Sequence, residues 1–176
     1  ILRISHQHAG ELTLLTTAPL TNLATALLHD PTLAGRIRNL VCMGGAVFTG
    51  NVSAVAEANI YNDPEAARIV FRSGIEITMI GLDVTHKVYW EESDLQHLED
   101  SGNERADFLL QIIRFISGAY ENLTGWRRCV LHDPLAAAVC LFPDLVKTEK
   151  CHVDVELRGE LTRGMTVVDR RGRTLL

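Results

Sequence analysis

Short apolar runs, each closed by glycine or a polar loop and separated by stretches of helical spacing, limit what this chain can fold into. Residues 11–17, Glu-Leu-Thr-Leu-Leu-Thr-Thr, form a β-rich run without breakers. Pro19 opens a helical pattern, with Leu20, Leu23, Ala24, Leu27 and Leu28 on one face. A second apolar strand covers 39–43 and stops at Gly44-Gly45; a third covers 75–82. Between them, Asp63-Pro64-Glu65 starts a helix that closes near Gly74. Strands alternating with helices predict an α/β domain with a mostly parallel sheet flanked by helices. Beyond it, residues 91–120 predict two amphipathic helices broken at Ser101-Gly102-Asn103. An Ala-rich helix follows from His132 to Phe142, and 151–157 with 161–168 predicts a hairpin or two edge strands.

Composition narrows the function classes. Of 176 residues 47% are hydrophobic, enough for one domain with a core, which excludes intrinsic disorder. The net charge of −5 and the lack of a basic stripe argue against nucleic acid. No apolar run approaches the ~18 residues of a membrane span. No glycine-rich phosphate loop of the Walker type is present. Cys42, Cys129, Cys140 and Cys151 are too scattered for a zinc site or a disulfide framework. They read as free thiols, which favours a reducing cytoplasm.

In parallel sheets ligands bind beyond the carboxyl ends of the strands, so the loops after Thr17, Met43 and Leu82 are the places for chemistry. Gly44-Gly45 lets backbone approach a ligand closely. Asn51, Glu57 and Asn59 follow on the same connection, and such donors and acceptors suit the vicinal hydroxyls of a sugar. The alternative is a long loop that satisfies its own backbone through Asx turns. Asp83 is a rim carboxylate or a cap. Asp30-Pro31, Asp63-Pro64 and Asp133-Pro134 each read as a helix start. Asp133 stands apart because His132 precedes it and an apolar helix follows, so a carboxylate and an imidazole come together as in a metal or catalytic site. Trp126 beside Arg127-Arg128 could cover a ligand. His29 reads as a surface residue, and His6 and His8 as disordered or at a cut edge, without a functional role.

Several of these stretches follow one another in a familiar order: Pro19-Leu20-Thr21-Asn22, Met43-Gly44-Gly45, Gly50-Asn51, Ala56-Glu57-Ala58-Asn59, Asp63-Pro64-Glu65-Ala66-Ala67, Gly81-Leu82-Asp83-Val84-Thr85 and His132-Asp133-Pro134. Together they resemble the inosine/uridine-preferring nucleoside hydrolases, from about Glu11 to Val168. The resemblance implies an open α/β fold and hydrolysis of the N-glycosidic bond of ribonucleosides to ribose and free base. It implies a calcium ion, with the Asp133 carboxylate and the Thr17 main-chain carbonyl among its ligands. Met43, Asn51, Glu57 and Asn59 would hold the ribose, and His132 would act at the departing base. It also implies a small-molecule ribonucleoside as partner and a homo-oligomer, dimer or tetramer, in the complete protein.

The chain departs from the family pattern in one large respect. The aspartate-rich D-x-D-P-G-x-D-D loop, which supplies the family's general base and its other calcium carboxylates, has no counterpart, and residues 1–10 read Ile-Leu-Arg-Ile-Ser-His-Gln-His-Ala-Gly. The expectation is therefore that residues 1–176 are an internal or C-terminal part of one nucleoside hydrolase domain. Alone they would be inactive and bind calcium weakly or not at all. The alternative is a noncatalytic ribose-binding or structural remnant. Two smaller departures are Ala18 in place of a glycine and Ala58 in place of an aromatic, which leaves base preference open.

Overall fold

The computed structural model describes residues 1–171. In chain order its elements begin with α1 (Leu2–Gln7), β1 (Leu12–Thr16), α2 (Thr21–His29), β2 (Ile37–Met43), α3 (Ala58–Asn62) and α4 (Pro64–Phe71). Next come β3 (Ile77–Ile80), α5 (Leu82–Thr85), β4 (Tyr89–Trp90), α6 (Glu92–Asp100), α7 (Glu104–Thr124) and β5 (Cys129–Val130). The last are α8 (His132–Leu141), β6 (His152–Val155) and β7 (Thr166–Asp169). The described residues pack as two compact units, one of residues 1–84 with 133–171, the other of residues 85–132.

The first unit is built on a parallel sheet in the order β1-β2-β3. Its central strand reads apolar throughout its second half because both faces are covered. Leu40 and Cys42 point to a cluster with Leu23, Leu27, Ala67 and Val70 from α2 and α4. Val41 and Met43, on the other side of the pleat, pack with Ile80, Leu82 and with Ala136 and Val139 of α8. This is the helix-flanked parallel sheet the sequence predicts. The thiol of Cys42 lies in that core, and burial pushes it up to about 11.

Local signals explain the boundaries. Asp30 caps a 3-10 helix over Pro31–Arg36 and Asp63 caps α4, as predicted, with Asp30 Oδ1 accepting the Thr32 N–H and Asp63 Oδ1 the Ala66 N–H, each at 3.0 Å. At the third Asp-Pro, α8 begins at His132, so Asp133 lies inside the first turn instead of capping it. Pro134 is tolerated there because first-turn N–H groups have no helical partner. β3 is shorter than predicted because the chain turns into α5 at Leu82. The predicted hairpin is the antiparallel pair β6–β7. Residues 2–7, where the sequence predicts no element and His6 reads as disordered or at a cut edge, form a helix whose Ser5 is buried and takes a hydrogen bond from Arg36.

The second unit holds α6, α7 and the short β4–β5 ribbon around Leu95, Leu110, Ile113 and Cys129. The break between the helices falls where the sequence places it. Gly102 takes φ +59° and Asn103 caps α7 through the Arg105 N–H. Among the described residues no helix is long and apolar enough to cross a membrane.

Candidate active site

Register places three strand ends side by side. Thr16 is paired with Cys42, and Met43 with Ile80, so Thr17, Gly44 and Gly81 leave the sheet along one edge. That is the carboxyl edge, where parallel sheets build their sites.

The connection from β2 to α3 is drawn back onto this edge by Glu57. Its carboxylate is buried, with the residue 2% exposed. Oε2 accepts the Gly45 N–H at 2.9 Å and the Ile60 N–H at 3.2 Å, while Oε1 accepts the Asn59 N–H at 2.8 Å. Glu57 is thus the N-cap of α3 and the anchor of the glycine pair at once. Three backbone donors use most of the roughly four acceptor sites of a carboxylate. Asn59 Nδ2 donates to the Met43 carbonyl at 3.1 Å and touches Met43 Sδ. Asn51 Oδ1 accepts the Ala58 N–H at 3.0 Å. The structure therefore brings Met43, Asn51, Glu57 and Asn59 to one place. Among the described residues, the Asn59 Oδ1 and Asn51 Nδ2 have no hydrogen-bond partner.

Two further side chains hold the loop from outside it. Asp83 Oδ2 and Oδ1 accept the N–H groups of Val47 and Phe48 at 2.6 and 3.1 Å. Thr166 of β7 is buried, and its hydroxyl accepts the Ala46 N–H and donates to the Ala46 carbonyl. Glycine is required at Gly45, where φ is +80° and a Cβ would come within 2.8 Å of Met79 Sδ. Thr166 was not among the candidates from sequence. A threonine in an alternating strand carries no signal that it clamps a loop 120 residues earlier.

Thr17 is exposed just beyond β1, and Asp133 is exposed in the first turn of α8. The Asp133 carboxyl is raised above its ordinary value by partial desolvation. Calcium takes six to eight oxygen ligands. Among the described residues no group of three His, Cys, Asp or Glu is placed to hold a metal ion. Glu57 and Asp83 spend their oxygens on backbone N–H groups, and Asp63 spends its own on the Ala66 N–H and the Thr21 hydroxyl. One carbonyl and one carboxylate do not fit a calcium shell by themselves.

His132 belongs to the second unit. It is half-buried, and its Nδ1 lies 2.8 Å from the hydroxyl oxygen of Thr85, a residue with no exposed surface. The His86 ring meets it edge-on, with centroids 5.6 Å apart and planes at 66°. Burial first, and then the His86 charge, lower its pKa, so the ring is biased to the neutral form. Thr85 lies in a stretch of which only Asp83 was singled out from sequence; a buried hydroxyl beside a histidine becomes visible only in three dimensions. Trp126, in the same unit, is exposed and stacks on the Arg128 guanidinium at 4.7 Å, beside a cavity of about 460 Å³ lined by Tyr89, Trp90 and Glu91 as well. All four cysteines are free thiols.

Known proteins resemble this arrangement over almost its full length. The sequence matches the profile of the inosine-uridine preferring nucleoside hydrolases over residues 1–175. It is 43% identical to an inosine-uridine preferring nucleoside hydrolase of Leishmania major, with 97% of this chain and 54% of the relative aligned. A pyrimidine-specific ribonucleoside hydrolase RihA of Shewanella oneidensis is 42% identical, over 96% of this chain and 52% of the relative. The solved purine-preferring ribonucleoside hydrolase of Gardnerella vaginalis superposes with a TM-score of 0.90 at 39% identity, covering 96% of this chain and 54% of that one. The chain spans about half the length of the curated relatives it matches. The profile match and the shared fold establish that this chain belongs to the inosine-uridine preferring nucleoside hydrolase family.

Proposed function

We propose that the protein carrying these residues hydrolyses the N-glycosidic bond of ribonucleosides, releasing ribose and the free base, and that the β2–α3 connection holds the ribose. The observation that supports this most is the cluster of Met43, Glu57 and Asn59 at the carboxyl end of the central parallel strand. Cleavage of such a bond passes through an oxocarbenium-like sugar, and hydrogen bonds to ring hydroxyls strengthen as that charge develops. Asn59 Oδ1 and Asn51 Nδ2 supply an acceptor and a donor whose positions are fixed by bonds from their other amide atoms. A cradle fixed in advance loses no ordering entropy when the transition state forms. His132 is the group assigned to the departing base.

Calcium is the ion we assign to the complete site, with the Thr17 carbonyl and Asp133 as two of its ligands. This assignment rests on the family resemblance, since the two donors do not form a shell. For the same reason the 176-residue chain by itself is inactive. We further assign the complete protein to the cytoplasm, supported by its free thiols, and to a homo-oligomer, dimer or tetramer.

Base release from inosine and uridine tests the reading. In the whole enzyme Asn59→Ala should lower kcat/KM by roughly 10- to 100-fold, the loss of one or two polar contacts made in the transition state. Unchanged kcat/KM would remove Asn59 from the ribose site. The 176-residue chain in millimolar calcium should release no base; turnover would show that these residues contain a complete site.

A further inference from the structure

Among the described residues, one hydrogen bond holds the half-buried His132 ring. The Thr85 hydroxyl sits 2.8 Å from Nδ1, and Thr85 has no exposed surface. Among the described residues its Oγ1 makes no other hydrogen bond. A buried hydroxyl proton left without an acceptor is destabilising, since it gives up its bond to water for nothing. In the neutral imidazole the Nδ1 lone pair is the acceptor within reach, so the hydroxyl donates to Nδ1 and the ring proton resides on Nε2. The edge-on His86 ring restrains the imidazole plane on another side.

We propose that Thr85 is a positioning residue that fixes the tautomer and orientation of His132, presenting Nε2–H as a hydrogen-bond donor. The inference rests on the assignment of His132 to the departing base. An imidazole whose Nε2 carries the proton donates a hydrogen bond to negative charge building on a leaving base. With the other tautomer Nε2 is an acceptor and repels that charge. The hydroxyl thus selects the useful one of two nearly equal forms. A main-chain carbonyl at the same place would select the opposite one.

Two measurements on the whole enzyme test this. Imidazole nitrogen-15 spectra should show His132 as a single Nε2–H tautomer, mixed in the near-isosteric Thr85→Val and restored in Thr85→Ser. Turnover of inosine or uridine should fall roughly 10- to 100-fold in Thr85→Val, in kcat with little change in KM, and recover in Thr85→Ser. Hydrolysis of p-nitrophenyl riboside, whose leaving group is already a weak base, should fall far less. A His132 tautomer that ignores Thr85→Val, or an equal loss on both kinds of substrate, overturns the proposal. If instead the tautomer responds but His132→Ala leaves nucleoside turnover intact, the assignment of His132 to the leaving base has failed, and the inference about catalysis falls with it.

Discussion

The buried carboxylate of Glu57 accepts the N–H of Gly45, twelve residues earlier, and in doing so ties the start of α3 to the end of the central strand. One side chain thereby sets the distance between the glycine pair and Asn59. The geometry of the candidate ribose site is a property of this bond before it is a property of any ligand.

Replacing Glu57 therefore acts on the fold first. Glu57→Gln turns one of two acceptor oxygens into a donor that faces backbone N–H groups. Leaving a buried donor unsatisfied costs about 1–3 kcal/mol. The denaturant midpoint of the variant should fall accordingly at unchanged slope. An unaltered midpoint would mean that the three N–H bonds contribute nothing.

Gly45→Ala should be costlier than an ordinary surface change. The residue has φ +80°, and the new methyl would also press on Met79 Sδ and Thr166 Cγ2 at 2.8 and 2.9 Å. The left-handed backbone alone costs roughly 1–2 kcal/mol. Gly10, which shares the positive φ but has open space around it, is the control. Gly10→Ala should lose only the backbone part; equal losses at the two sites would show that the crowding is relieved freely.

Thr166→Val keeps the shape of a buried side chain and removes both of its bonds to Ala46. We expect a loss of about 1–3 kcal/mol, from the stranded Ala46 N–H and carbonyl. Faster amide exchange at Ala46, Val47 and Phe48 should accompany it, because the Ala46 N–H then loses its acceptor while Asp83 still holds those of Val47 and Phe48. Exchange that stays as slow as in the parent would show that Thr166 is not a clamp.

Acid should weaken the packing of β6 against α4. Burial by itself would raise the Asp154 carboxyl, but the Arg72 hydrogen bond, the Val155 N–H and the Arg68 charge outweigh it and hold the pKa below the ordinary 3.8. A depressed folded value means stability that is present above the unfolded pKa and lost as pH falls through the folded one. Asp154→Asn should therefore be less stable than the parent at pH 7, with the gap closing as the pH falls below the ordinary carboxyl value of 3.8. A gap that stays constant across that range would deny the ion pair any such role. Asp30 and Asp169, both held at about 2, remain in the variant and keep their own acid sensitivity.

Much of the fold was legible because its signals are local. Apolar runs ended by glycine mark β2, Asp-Pro pairs mark the starts of two helices, and Gly102-Asn103 marks the break before α7. The short helix α3 was not legible, since its cap, Glu57, looks in sequence like a residue on offer to a ligand. The candidate site was legible as a list of residue types. Their division of labour was not, because Asn51, Glu57 and Asn59 serve backbone atoms that only folding brings near them.

The sequence by itself determined the alternation of strands and helices, the family, and the set of polar residues gathered on one connection. It could do so because helix caps, turn glycines and hydrophobic period act over a few residues. Tertiary structure alone decided that Asp83 and Thr166 clamp the 46–48 backbone and that Thr85 holds His132. Those partners are separated by 36, 120 and 47 residues, and a hydrogen bond carries no trace of itself in the sequence between its ends.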